Sequence, residues 1–129
     1  MEWLAVGAGG AVGAMGRHLV GVWALKLMGV GFPWGTLTVN VVGSFLIGVL
    51  VETLALRFHA TPELRLFLVT GVMGGFTTFS SFSLDIGLPI EKKQNLLAAV
   101  YAFGSLALGV AALFFALWLV RTLMGPQLG

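Results

Sequence analysis

Charged residues are sparse along this chain, and the stretches between them set the predicted elements. The three longest uncharged stretches contain 25, 19 and 27 residues and lie at 27–51, 66–84 and 94–120. A fourth apolar stretch, from 3 to 25, is interrupted only by Arg17. A helix needs about 20 mainly apolar residues to cross the hydrocarbon core, so each stretch predicts a transmembrane helix. The four predicted helices cover residues 3–28, 34–56, 66–89 and 95–121 of a single domain, 1–129.

The composition indicates the same class of protein. Of the 129 residues, 58% are hydrophobic and 9% are charged, whereas a soluble domain carries about 25% charged residues. The mean hydropathy is +1.01. A small soluble fold cannot bury this much apolar surface, because its surface is large relative to its volume. The composition therefore excludes a cytosolic enzyme, a secreted disulfide scaffold and a disordered protein, and it predicts an all-α membrane protein.

Three further features narrow the class. Glu2 is the only early charge, so we interpret the N-terminal apolar stretch as a mature helix rather than a signal peptide. Cysteine is absent, which excludes a disulfide or a thiolate metal site. The pI near 9.5 reflects a net charge of only +2, so we expect no nucleic-acid partner.

The loop charges give no clear orientation in the bilayer. Four crossings place both termini and the second loop on one side of the membrane. Cytoplasmic loops normally carry more Lys and Arg, yet each side has three such residues: Arg57, Arg65 and Arg121 against Lys26, Lys92 and Lys93. Two interpretations stay open. Another cue, such as Arg17, decides the orientation, or copies insert both ways and form an antiparallel dimer.

Small residues are abundant: the chain has 19 glycines, and glycine, alanine and serine recur along the first, second and fourth predicted helices. Small residues allow membrane helices to approach closely. We therefore expect a compact bundle and assign these glycines no chemistry.

Polar residues recur on single faces of two predicted helices. Thr36, Asn40 and Ser44 are spaced by four, as are Tyr101 and Ser105. Asn40 is the most costly to bury, because its amide has two donor and two acceptor positions to satisfy. Its side chain either bridges two helices by hydrogen bonds or offers a donor to a permeating anion.

The third helix contains an unfavourable sequence for a continuous helix. A Gly74–Gly75 pair is followed by two threonines and two serines, whose hydroxyls compete for backbone hydrogen bonds. This predicts a break between Gly74 and Ser80 at mid-membrane depth. Freed carbonyls at such a break are good ligands for Na⁺. The alternative is a kink whose backbone groups are satisfied by Thr and Ser side chains.

Three phenylalanines, Phe76, Phe79 and Phe82, are spaced by three along the same helix. The edge of an aromatic ring is electropositive, so rings turned edge-on to a pore attract an anion mildly, as conduction requires. Each ring taken alone is equally consistent with packing against lipid.

Three segments, 9–17, 35–48 and 74–83, resemble the Fluc or CrcB family of fluoride channels. The third is the most specific, because it combines Gly-Gly with Thr-Thr-Phe-Ser and a second Phe three residues later. The resemblance implies a dual-topology antiparallel homodimer in the bilayer of the cell inner (plasma) membrane, with two pores and a central structural Na⁺. It also implies passive, selective export of F⁻ that relieves fluoride toxicity.

The resemblance also implies roles for individual residues. Asn40 is expected to face the pore, and the ring edges of Phe79 and Phe82 to line the fluoride path. The backbone carbonyls of Gly74 and Thr77 are expected to hold the Na⁺ between subunits. The remaining pore residues are expected to be Tyr101 and Ser105 beside the phenylalanines, the hydroxyl donors Thr78, Ser81 and Ser83, and Arg17 near the pore mouth.

The chain departs from the family pattern at three positions. His18 stands where a tyrosine often follows the arginine, Ser81 where threonine is usual, and Asp85 where glutamate is frequent. These differences concern the details of the pore mouth, and Asp85 is equally readable as a charge at a helix end.

A fluoride channel is thus the first hypothesis, and two alternatives of other classes stay open. A small multidrug exporter needs a carboxylate at the centre of a span, but Glu2 and Asp85 lie near span ends. A purely structural membrane subunit would not explain the cost of burying Asn40. The sequence contains no nucleophile–base pair and no nucleotide-binding loop, so we expect no enzymatic activity.

Overall fold

The computed structural model describes residues 1–56 and 60–124, and throughout these residues the regular structure is helical. Arg57, counted above among the basic loop residues, lies outside them. The elements are α1 (Glu2–Met28), α2 (Trp34–Leu56), α3 (Pro62–Arg65), a π-helical segment (Leu66–Met73), α4 (Gly74–Phe76), α5 (Ser80–Glu91) and α6 (Asn95–Met124).

Three helical stretches within the described residues are long and apolar enough to cross a membrane, namely Trp34–Leu54, Pro62–Glu91 and Asn95–Met124. The prediction of an all-helical membrane protein is confirmed at this level. The first helix is not among the three, because its glycines, Arg17 and His18 lower its mean hydropathy. A fourth crossing by α1 therefore stays a prediction.

The third helical stretch begins at Pro62, four residues before its predicted start. The Thr61 Oγ1 accepts a hydrogen bond from the Leu64 N–H at 3.1 Å, and Pro62 occupies the first helical position. Both features are typical of helix starts. Counting uncharged residues placed the start too late, because Glu63 and Arg65 lie inside the helical stretch.

Glycines of α1 bring its backbone into direct contact with the π-helical segment. A Cβ added at Gly13 would overlap the Val72 carbonyl oxygen, and one added at Gly9 would overlap the Phe67 carbonyl oxygen. The contact continues into α4, where a Cβ added at Gly75 would lie 2.6 Å from the Gly10 carbonyl oxygen. These close approaches agree with the tight packing that the small residues predict.

The second long contact joins α2 to α6. At Gly48, an added Cβ would lie 2.8 Å from the Ala116 Cβ, so these two helices are also close. Near their ends the Arg121 Nε donates to the Glu52 Oε1 at 3.0 Å. The outer face of α6 exposes large apolar side chains, including Phe103, Phe114 and Trp118. Such a surface requires lipid or another chain to cover it.

The close contact at Gly13 generates a prediction for stability. Gly13→Ala should lower the melting temperature of the purified protein in detergent by about 5 °C or more, because overpacking costs about 1–3 kcal/mol. The control is Gly7→Ala on the same helix, where an added Cβ meets nothing within 4 Å. Equal melting temperatures for the two variants would contradict the packing described here.

Candidate functional site

The helix that carries the predicted pore residues is interrupted over residues 77–79. Helix α4 ends at Phe76, Thr77 is extended with φ −87° and ψ 161°, and α5 begins at Ser80. The interruption lies within the Gly74–Ser80 range indicated by the sequence. Its position at mid-depth in a membrane stays a prediction.

Asn40 of α2 binds the interruption through both ends of its amide. Its Nδ2 donates to the Thr78 carbonyl oxygen at 3.0 Å, and the Thr78 N–H donates to its Oδ1 at 2.9 Å. The side chain thus joins α2 to the non-helical interruption by two hydrogen bonds. Because Nδ2 carries two N–H groups, a single bond to Thr78 does not exhaust its capacity to donate.

Two backbone N–H groups at the interruption donate to side-chain oxygens. In a continuous helix they would donate to backbone carbonyls. In an α-helix the Thr78 N–H would bond to Gly74 and the Ser81 N–H to Thr77. Here Thr78 donates to Asn40, and the Ser81 N–H donates to the Thr78 Oγ1 at 3.1 Å. The Gly74 and Thr77 carbonyls, the predicted cation ligands, therefore lose their helical donors.

Arg17 of α1 donates a hydrogen bond to α4, just before the interruption. Its Nε donates to the Gly75 carbonyl oxygen at 3.1 Å, and the residue is half-buried. The structure therefore places this predicted pore-mouth residue directly against the interrupted helix. The Gly75 carbonyl was not singled out from the sequence, because nothing in its local pattern indicates a partner 58 positions away.

The predicted aromatic residues form a row that leads from the surface into the chain. Phe79 is 78% exposed. Its ring centroid is 6.1 Å from that of Phe82, which lies 5.3 Å from that of Tyr101. Tyr101 is only 1% exposed. Two of the three rings therefore pack inside this chain, whereas Phe79 points out of it.

Polar groups surround the buried end of this row. The Tyr101 hydroxyl donates to the Asp85 Oδ2 at 3.1 Å, and Thr36 lies beside the same hydroxyl. One turn along α6, the Ser105 Oγ is buried and has no hydrogen-bond partner among residues 1–56 and 60–124. A buried hydroxyl without a partner is costly, so this atom is the clearest candidate for contact with a ligand.

Three other predicted hydroxyl residues occupy different environments. The Thr78 Oγ1 lies 3.3 Å from the Ser80 Oγ, beside its bond to the Ser81 N–H. Ser81 is half-buried, whereas Ser83 is exposed on α5. The structure thus brings Thr78 and Ser81 to the interruption and places Ser83 on the outer surface of the isolated chain.

A cavity of about 610 Å³ lies between the loop at 29–33 and the end of α5. Its charged and polar lining residues include Arg17, His18, Thr36, Thr78, Ser81, Asp85 and Lys92. It therefore connects one end of the helical bundle with the interruption. From the sequence alone, Asp85 has two interpretations, a pore-mouth residue or a charge at a helix end, and the structure places it in the cavity lining. The available signal was its spacing of three from Phe82, which places both on one face of α5.

Comparison with known proteins identifies the family. The model of the family described as CrcB-like protein, Camphor Resistance (CrcB), matches residues 4–117. A protein of Agrobacterium fabrum named fluoride-specific ion channel FluC is 58% identical over 118 residues, covering 92% of this chain and 94% of its own length. A protein of the same name from Rhizobium etli is 50% identical over 124 residues, which cover 96% of this chain and 99% of the Rhizobium protein. The chain therefore belongs to the CrcB-like family, whose members are ion channels and not enzymes.

Proposed function

We propose that this chain forms a fluoride-selective channel through which F⁻ leaves the cell passively, which relieves fluoride toxicity. The observation that carries the proposal is the buried Ser105 Oγ without a partner, one turn from Tyr101. Fluoride is small and strongly hydrated, so a narrow path must replace its water with donors. The names of the relatives support fluoride as the permeating ion.

Donors and ring edges follow one another along the proposed path. From the cavity, the ion first meets Thr78 and Ser81, with Arg17 and Lys92 as positively charged lining residues. The second N–H of Asn40 and the hydroxyl of Ser105 then replace water, while the edges of Phe79 and Phe82 contribute a weak attraction. Distributed, weak binding of this kind lets the ion leave again.

The assembly that completes the path is an antiparallel homodimer with two pores. Phe79 is 78% exposed and Gly74 is exposed as well, so residues assigned to the pore lie on the outer face of a single chain. A second copy would cover them. The equal numbers of basic residues on the two sides fit insertion in both orientations.

A structural Na⁺ on the dimer axis is the second part of the assembly. The Gly74 and Thr77 carbonyls have lost their helical N–H donors to side chains. Two copies would contribute four such oxygens, and oxygen ligands suit a hard cation. The ion ties the two interrupted helices together and does not permeate.

The four-helix arrangement in the inner (plasma) membrane completes the proposal. Trp3 and Trp23 are exposed and 20 residues apart on α1, which is about 30 Å along a helix. That length equals the hydrocarbon core, and Trp side chains prefer its two boundaries. Helix α1 therefore has anchors suited to a fourth crossing despite its lower hydropathy.

Fluoride efflux from liposomes tests the function. The reconstituted protein should release fluoride, measured with an electrode, and should not release chloride under the same gradient. Asn40→Asp should reduce the fluoride rate by more than about a hundredfold, because a like charge about 4 Å from the ion costs about 4 kcal/mol. Asn95→Asp, at the exposed start of α6, is the matched control. Chloride efflux at a comparable rate, or full flux in Asn40→Asp, would refute the corresponding assignment.

The aromatic residues are tested separately. Phe79→Ile and Phe82→Ile should each reduce the fluoride rate about tenfold, the effect of about 1.4 kcal/mol on a barrier, because an aliphatic group lacks an electropositive edge. Phe114→Ile, on the exposed face of α6, controls for loss of a ring at a surface. Equal rates in all three variants would show that Phe79 and Phe82 serve only in packing.

The cation is tested by structure determination of the assembled protein. We expect a non-water density on the two-fold axis, with close oxygen contacts from Gly74 and Thr77 of both subunits. A two-fold axis closed by apolar side chains would exclude this site, and the proposed fluoride path would then rest on Asn40, Ser105 and the phenylalanines.

A further inference from the structure

A second residue of α2, Gly43, packs directly against the interruption because it has no side chain. Gly43 is buried and lies three positions after Asn40, so the two residues share a helix face. A Cβ added at Gly43 would overlap the Cγ2 methyl group of Thr77. The next nearest atoms are the Phe76 Cδ2 at 3.4 Å and the Thr77 Cβ at 3.7 Å, which are ordinary contact distances. A single methyl group is therefore what prevents a side chain at position 43.

The other groups of Thr77 are fixed by the preceding turn. Its N–H and its Oγ1 both donate to the Met73 carbonyl oxygen, each at 3.0 Å. With the hydroxyl held there, the staggered geometry of a β-branched side chain determines where the methyl group lies. The methyl group occupies the space beside Gly43. Thr77 is thus held by its hydroxyl on one side and by its methyl group on the other.

We propose that Gly43 is a positioning residue whose missing side chain sets the place of the Thr77 peptide. The inference rests on the proposed function, since it concerns the carbonyl assigned to the cation and the residue next to Thr78. A Cβ at position 43 would push Thr77 away from α2. Because Asn40 holds Thr78 from the same helix face, that displacement would also strain both Asn40–Thr78 hydrogen bonds.

General helix packing does not account for this glycine in the same way. Gly48, five residues later on α2, faces the Cβ of Ala116 on α6, which is a contact between two helices. Gly43 instead faces the non-helical residue whose backbone forms part of the site. The two glycines are therefore required for different contacts, and only the contact at Gly43 involves the methyl group of Thr77.

This dependence gives a direct test in the full-length, reconstituted protein. The effect of Gly43→Ala on fluoride efflux is measured in the wild-type background and in Thr77→Ser, which keeps the hydroxyl and removes the methyl group. We expect a loss of at least about tenfold in the first background and less than about threefold in the second, a coupling typical of residues in contact. Gly109→Ala, whose added Cβ would meet only the Ser44 Oγ at 3.5 Å, should have the same small effect in both backgrounds.

The melting temperature of each purified variant gives a second readout of the same comparison. If Thr77→Ser abolishes efflux by itself, the melting temperatures decide: Gly43→Ala should destabilise the wild-type background more than the Thr77→Ser background. An equal effect in both backgrounds, by rate or by melting temperature, would overturn the inference. A wild-type protein that releases no fluoride would refute the proposed function, whereas the coupling in melting temperature would still test the role of Gly43.

Discussion

The exchange of two hydrogen bonds between the Asn40 amide and the Thr78 peptide is the interaction on which the site depends. A helix can stop in an apolar environment only if its backbone groups find other partners. Asn40 supplies both partners for Thr78. These two hydrogen bonds thus compensate both the free-energy cost of burying the Asn40 amide and that of leaving the Thr78 peptide outside a helix. The Gly74 carbonyl loses its helical donor through this exchange, and the bond of the Ser81 N–H to the Thr78 Oγ1 has the same effect on the Thr77 carbonyl.

The sequence predicted those parts of the molecule that depend on local pattern. Three membrane-capable helices followed from the spacing of charges, and the close packing of α1 followed from its glycines. The identity of contacting partners was not predictable in the same way. Periodicity indicates which residues share a face but not which element that face meets, so the bonds of Asn40 to Thr78 and of Arg17 to Gly75 required the structure.

Two other features show the same limit. The π-helical segment Leu66–Met73 has an ordinary apolar sequence, and nothing in that sequence distinguishes i→i+5 from i→i+4 hydrogen bonding. Asp85 had two interpretations because a charge near a helix end is common. In the structure Asp85 accepts a hydrogen bond from the buried Tyr101, a partner that the local sequence pattern did not indicate.

The direct backbone contact between α1 and the π-helical segment has a consequence for motion. Glycines have no rotamers, so the contact at Gly13 cannot yield through a side-chain rearrangement. Relative displacement of the two elements would therefore require movement of their backbones, and the interruption follows this contact along the chain. Side-chain rearrangement is available at the other end of the helical stretch, where Phe82 and Asp85 of α5 contact Tyr101 of α6 through their side chains.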